Sequence, residues 1–179
     1  MTHSLFIKHD LFIAFCLSLP LIISGTLHMI IVKKDYLSYF KIPIHQRWFG
    51  RNKTWRGVLV MPLATWLGVI ITEMIFPLFA PHSLFLCGVI LGLAYIAAEL
   101  PNSFIKRRLG IKEGKLPERK RWLFGLMDQA DSAIGCLIVY RFLLGTSWTI
   151  LLLTLIIGTL IHFLLNLILY FAGIRENAF

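Results

Sequence analysis

SFIKRRLGIKEGKLPERKRWLFGLMDQADS, residues 103–132, lies between two long apolar segments and carries eight Lys or Arg residues in its first two thirds. Asp128 and Asp131 follow just where apolar character resumes. A cationic loop that re-enters apolar sequence through carboxylates describes the edge of a membrane, and packing alone explains such carboxylates poorly. Three residues apart on a helix, the two Asp side chains project from nearly one face. A carboxylate pair suits Mg²⁺, and clustered Lys and Arg suit phosphate. The stretch therefore predicts an all-α integral membrane protein with metal-assisted chemistry on a phosphorylated molecule at its cytosolic surface.

The apolar sequence on either side agrees. Of 179 residues 58% are hydrophobic, the mean hydropathy is +0.77, and the chain has room for about five helices of roughly 20 residues each. Residues 1–179 read as a single membrane-embedded domain. The net charge of +9 does not point to nucleic acid, because fifteen of the eighteen Lys and Arg residues fall in Lys33–Arg56 and Lys106–Arg121. That concentration is the positive-inside signature of cytosolic loops. Cys16, Cys87 and Cys136 all lie in apolar spans without paired spacing, so they read as buried packing residues rather than disulfides or zinc ligands. A homo-oligomer is allowed by the sequence without being indicated by it.

Five spans follow: Leu11–Val32, Val58–Phe79, Leu84–Leu100, Met127–Leu144 and Trp148–Ala172. Lys33 and Lys34 come after the first span rather than before it, so it reads as a retained helix and not a signal peptide, with its N-terminus outside and Pro20 as a kink. The C-terminus is then cytosolic, and both basic loops share its side. Asp35–Trp48 mixes Tyr36, Tyr39, Phe40 and Trp48 with Lys41 and Arg47, the pattern of an interfacial segment. Glu73 lies about three quarters of the way through the second span, where it reaches outer water. Gly88 and Gly92 form a GxxxG that favours close packing within the monomer. Pro101 marks the end of the third span. Asp128 suits the N-terminus of the fourth helix through the macrodipole. Asp131, one turn deeper, needs a partner to offset a cost of about 2.5–3.5 kcal/mol for an ionised Asp at mid-membrane.

Two further features stay open on spacing alone. Gly50-Arg51-Asn52-Lys53-Thr54-Trp55-Arg56-Gly57 precedes the second span and presents cations and N–H groups to a phosphate, or is simply a basic flank; it lacks P-loop spacing. His162 and Asn166, at i and i+4 on the fifth helix, are either hydrogen-bonding residues between helices or part of a site at the depth of the Asp pair.

Taken together, NKTWRG at 52–57, ELPNSFIKRRLGI at 99–111, DQADS at 128–132 and HxxxN at 162–166 resemble the CDP-archaeol synthase family, within the wider CDP-diacylglycerol synthase-like cytidylyltransferases. The His-Gly-Gly that usually precedes the Asp pair in the diacylglycerol enzymes is absent here, with only Gly125 nearby, which places the chain on the archaeol side. Gly50-Arg51-Asn52-Lys53 stands where many archaeal members carry Gly-Asp-Gly-Lys. The resemblance implies cytidylyl transfer from CTP to a lipid phosphate at the cytosolic face of the cell membrane, releasing pyrophosphate. It implies Mg²⁺ on Asp128 and Asp131, and phosphate binding by Lys53, Arg56, Lys106 and Arg107. Asn52, Thr54, Asn102, Ser103 and Ser132 would add neutral hydrogen bonds, Glu99 would orient a cation, and His162 and Asn166 would line the membrane side. A small transporter or flippase for an anionic lipid, and a non-catalytic lipid-binding scaffold, are the competing classes.

Overall fold

The computed structural model describes residues 2–80, 82–115 and 121–171. Arg119 and Lys120 of the basic loop, and Ala172 at the end of the fifth span, lie outside the described residues. Six α-helices follow one another: α1 (Thr2–Lys33), α2 (Gln46–Phe49), α3 (Trp55–Ile75), α4 (Leu84–Arg108), α5 (Arg121–Leu144) and α6 (Trp148–Phe171). All but α2 are long and apolar enough to cross a bilayer, as five spans predict. The protein is a multi-pass, all-helical membrane protein.

Each long helix packs against two others, and the five close into a ring in the order α1, α3, α4, α5, α6. The contacts depend on small residues. A Cβ on Gly88 would fall 2.2 Å from the Trp66 backbone, and one on Gly92 would fall 2.4 Å from Pro62. The GxxxG of α4 is therefore used against α3 within the chain, as expected, because only a missing side chain lets two helix backbones approach so closely. Pro20 of α1 sits against Gly68 of α3 in the same way.

Inside the ring lie Leu17, Met61, Leu91, Cys136 and Tyr140, and the Tyr140 hydroxyl donates to the Leu17 carbonyl at 2.9 Å, tying α5 to α1. The three cysteines are free and buried. Buried hydroxyls are satisfied within their own helices: Ser18, Thr65, Thr72 and Thr154 each donate to the carbonyl four residues back at 2.7–2.9 Å. Outside, Leu59, Leu63, Leu67 and Ile71 of α3, and Leu152, Ile156, Leu160, Leu164 and Ile168 of α6, form exposed apolar stripes. Small residues at the helix contacts, with large apolar ones also facing outward, are what lipid as a solvent selects.

Several boundaries differ from the sequence expectation, the first being that of α1, which begins at Thr2 rather than Leu11. The second span stops at Ile75 rather than Phe79, because Phe76, preceding Pro77, turns extended. Glu73 is half-buried there, and its Oε2 accepts the N–H groups of Leu78 and Phe79, both at 2.8 Å. Pro101 does not end the third helix: α4 continues seven residues beyond it to Arg108. A proline removes one helical hydrogen bond but leaves the following turns intact, and the stop comes at Gly110, φ +72°, where Ile111 N–H bonds the Lys106 carbonyl at 2.9 Å and Gly110 N–H that of Arg107 at 3.1 Å. Finally, α5 is helical from Arg121 rather than Met127, so Asp128 stands two turns inside it. The macrodipole fades within one turn and does not account for this carboxylate.

Candidate active site

Alternating helix directions bring the end of α1, the start of α3, the end of α4, the start of α5 and the end of α6 to one end of the ring. Most sequence-predicted residues collect there. Lys53 is positioned by backbone: Ile44 N–H bonds the Lys53 carbonyl and Trp55 N–H bonds the Ile42 carbonyl, both at 2.9 Å. This short antiparallel bridge between 42–44 and 53–55 is built from the interfacial segment, which also exposes Tyr36, Tyr39 and Trp48. The Lys53 ammonium reaches across to the Glu99 carboxylate on α4. Burial works against that ammonium, but Glu99 more than offsets it, with help from Asp131 and Asp128, and its pKa is raised.

One turn beyond Glu99, Asn102 donates a single amide nitrogen to Asp128 Oδ1 at 2.7 Å and to Asp131 Oδ2 at 2.9 Å. Lys106, one further turn along α4 and itself buried, pairs with Asp128. Asp131 Oδ1 accepts the Ser132 N–H at 2.6 Å. The spacing 99, 102, 106 on α4 thus faces 128, 131 on α5, each a one-turn ladder. Asp128 keeps 40% of its side chain exposed, so the cluster opens outward.

Three carboxylates, Asp128, Asp131 and Glu99, face two ammonium groups, leaving the cluster short of positive charge. Among the described residues no three His, Cys, Asp or Glu side chains group as a complete metal site. Two carboxylates within reach of one nitrogen nevertheless fit Mg²⁺, which commonly binds one or two protein carboxylates and takes its other ligands from water and substrate phosphates. Here the Asn102 amide and the Lys106 ammonium stand against the oxygens that a cation would share.

The remaining predicted residues are placed less centrally. Arg56 is 3% exposed, and its Nη1 donates to Asp35 Oδ1 at 2.9 Å and to the Tyr36 carbonyl at 3.1 Å, fixing the turn after α1. Both Asp35 and Leu37 adopt positive φ in that turn, a conformation that needs such support. Hydrogen bonds from Lys41 and Arg56 hold the Asp35 carboxyl below its ordinary range. Thr54 is buried as the residue preceding α3. Asn52 lies near Gly114, and Arg107 faces Glu113 at 3.7 Å. Ser103 is half-buried on α4.

Ser132 and His162 line a small cavity of about 30 Å³ with Ser18, Tyr95 and Thr154, room for one or two waters. Asn166 is buried one turn from His162. His28 was not singled out by sequence. It sits near the end of α1 against Gly57, within electrostatic range of Glu99, Lys53 and Arg56. A lone His in an apolar helix carries no motif, and only the packing of α1 on α3 reveals its neighbours.

The profile described as CarS-like, CDP-archaeol synthase, matches residues 12–179. The chain belongs to the CDP-archaeol synthase family. It is an enzyme of that family, as the four motifs imply. It is 31% identical over 140 residues to the CDP-archaeol synthase of Staphylothermus marinus, covering 72% of this chain and 70% of that one. The CDP-archaeol synthase of Methanosarcina mazei is 32% identical over 153 residues, covering 74% and 82% respectively. That of Methanoculleus marisnigri is 30% identical over 146 residues, covering 73% and 81%. No solved structure matches the chain.

Proposed function

We propose that this membrane enzyme transfers a cytidylyl group from CTP to a lipid phosphate, giving a CDP-lipid and pyrophosphate, at the cytosolic face of the cell membrane. The observation that carries this reading is the meeting of Asp128 and Asp131 with Lys106 and Asn102 at the end of the ring that bears both basic loops. Relatives bearing the name CDP-archaeol synthase support it. An archaeol phosphate is the favoured acceptor on that resemblance, and phosphatidic acid is the alternative to be tried beside it.

In the reaction a lipid phosphate oxygen attacks the α-phosphorus of CTP, and the bond from that phosphorus to the pyrophosphate oxygen breaks. The acceptor is already anionic at neutral pH, so the chain need not supply a strong base. Its task is to seat two polyanions together and neutralise charge as pyrophosphate departs, which is mostly positioning and electrostatics. Asp128 and Asp131 would hold Mg²⁺, whose contribution is to offset triphosphate charge. Lys106 and Lys53 are the ammonium groups nearest the carboxylates and would take phosphate oxygens. Arg107 extends the same cationic cluster, Asn52 and Ser103 would add neutral hydrogen bonds near it, and Thr54 and Ser132, both buried, would add theirs from the interior side. Arg56 serves by holding the turn that leads into the 50–57 loop. Asn102 orients both carboxylates, Glu99 orients Lys53, and His162 and Asn166, inside the ring, would line the membrane side of the cavity.

Purified protein with Mg²⁺, CTP and a lipid phosphate in mixed micelles should release pyrophosphate and form a CDP-lipid. An unsaturated archaeol phosphate and phosphatidic acid are tested in parallel, and the faster names the acceptor. No CTP-dependent product with either lipid, from folded protein across several divalent metals, would sink this function in favour of transport or scaffolding. For orientation, His82→Cys and Lys112→Cys should label oppositely with an impermeant thiol reagent in intact cells, only the first from outside. Equal outside labelling at both would reverse the assignment of the site to the cytosol.

A further inference from the structure

Among the described residues the two basic loops meet through one acidic side chain, Glu113. Its Oε1 accepts the Arg51 backbone N–H at 3.2 Å, and its Oε2 lies 3.7 Å from Arg107 Nη1. The approach depends on Gly50, φ +87°, where an added Cβ would fall 2.7 Å from Glu113 Cγ. Arg107 is only 14% exposed, and its Nε and Nη1 are buried without a hydrogen-bond partner among the described residues, because 3.7 Å is an ion-pair distance too long for a hydrogen bond. A buried guanidinium with unsatisfied donors is costly unless something completes it. Against the Glu113 carboxylate stand a backbone N–H and the planar cationic fork of Arg107, which is the donor set of an anion site holding a weak internal ligand.

We infer that the Arg51 N–H and the Arg107 guanidinium form a phosphate subsite, filled by the chain's own Glu113 until a polyphosphate displaces it. The inference rests on the phosphate-handling reading above and adds to it a built-in competitor. A carboxylate offers two oxygens in one plane, whereas a phosphate offers three with more charge, so the polyanion satisfies the donors that Glu113 leaves open. Hydrogen bonds from Glu113's own N–H and from Arg51 N–H hold this carboxyl below its ordinary range, so it stays an anion at neutral pH. The arrangement keeps Arg107 from closing on stray anions of single charge while admitting a polyphosphate.

The test is binding of inorganic pyrophosphate to the detergent-solubilised full chain by equilibrium dialysis, with EDTA present so that no metal contributes. Glu113→Gln, nearly isosteric, should bind pyrophosphate about fivefold more tightly than the unaltered chain, the upper end of the scale on which a solvent-facing ion pair competes, since Glu113 is partly exposed. Glu113→Ala should do the same and serves if the glutamine variant extracts poorly; both are checked for an unchanged elution profile. Adding Arg107→Gln should abolish the gain. Unchanged or weaker binding in the folded Glu113 variants would make Glu113 a mere clasp between loops. A gain that survives Arg107→Gln would put the anion elsewhere on the basic surface. Neither CTP nor lipid enters the measurement. An affinity gain without CTP turnover removes only the cytidylyl reading, and turnover with unchanged affinity removes only this inference.

Discussion

Glu73 and Asp131 are both carboxylates within apolar helices, near opposite ends of the ring, and their surroundings give them opposite meanings. Glu73 closes the end of α3: one oxygen takes the N–H groups of Leu78 and Phe79, which the break at Pro77 would otherwise leave without partners. Its acceptors go to its own chain a few residues on. Asp131 instead shares an amide with Asp128 across two helices, beside the Lys53–Glu99 and Lys106–Asp128 pairs. A carboxylate that caps backbone serves the fold. Carboxylates gathered against side-chain donors at a partly exposed edge can exchange those donors for a ligand.

The sharpest break in this contrast comes from neutralising each carboxylate in turn. Asp128→Asn and Asp131→Asn should each lower pyrophosphate release at least about a hundredfold, a loss of about 2.7 kcal/mol in transition-state stabilisation, with extraction and melting little changed. Glu73→Gln should do the reverse: turnover per folded molecule stays near that of the unaltered chain, while stability falls by about 1–3 kcal/mol. An Asn variant that keeps more than about a tenth of the original rate would remove its metal role. A Glu73→Gln variant that folds normally but does not turn over would erase the contrast.

A smaller effect is expected one hydrogen bond away from the carboxylates. Asn102→Ala should reduce turnover about tenfold, since a buried amide that orients two carboxylates contributes on the order of 1.4 kcal/mol. Isotherms for Mg²⁺ should shift with it if orientation is its task. If turnover and metal affinity both hold, Asn102 is packing.

Within the loops the contrast separates identity from charge. Arg107→Lys keeps the positive charge but loses the planar fork, and should cut turnover about fivefold, near 1 kcal/mol. Lys115→Ala, outside the matched motifs, should leave the rate within about twofold. Equal tolerance would reduce both residues to topology signals.

The mildest expectation concerns pH and stability at the turn after α1. The Asp35 pKa is depressed by hydrogen bonds from Lys41 and Arg56. Its contribution is therefore complete above the ordinary carboxylate pKa and is lost as pH falls through the lower folded value. Thermal melts in detergent between about pH 6 and pH 3 should show a slightly steeper acid loss for the unaltered chain than for Asp35→Asn. Parallel curves would mean that the contact does not matter to stability.

Sequence by itself determined the class and the inventory. Apolar runs of sufficient length dictate helices in lipid, because no other open structure satisfies its backbone there. Lys and Arg clustering marked the two loops, and the spacing of Asp128 and Asp131 was legible as one face of a helix; Glu99, Asn102 and Lys106 were named by their motif, and only the continuation of α4 past Pro101 makes them one ladder. Boundaries were less legible where a local rule met a competing one. Pro101 signals a stop, yet the real stop is Gly110, whose positive φ lets the chain turn and satisfy the last carbonyls of α4. Only the tertiary structure decided which ladder faces which: that α4 and α5 pack close enough for Asn102 to touch both Asp side chains, that Arg56 turns to Asp35, and that Glu113 comes back to Arg51 across 62 residues. It also decided that α6 closes on α1 and that His28 joins the charged end of the ring. The physical reason is that intrahelical periodicity is written in neighbouring residues. The pairing of helices instead depends on where small residues such as Gly88, Gly92 and Gly68 let backbones meet, a property of two surfaces at once.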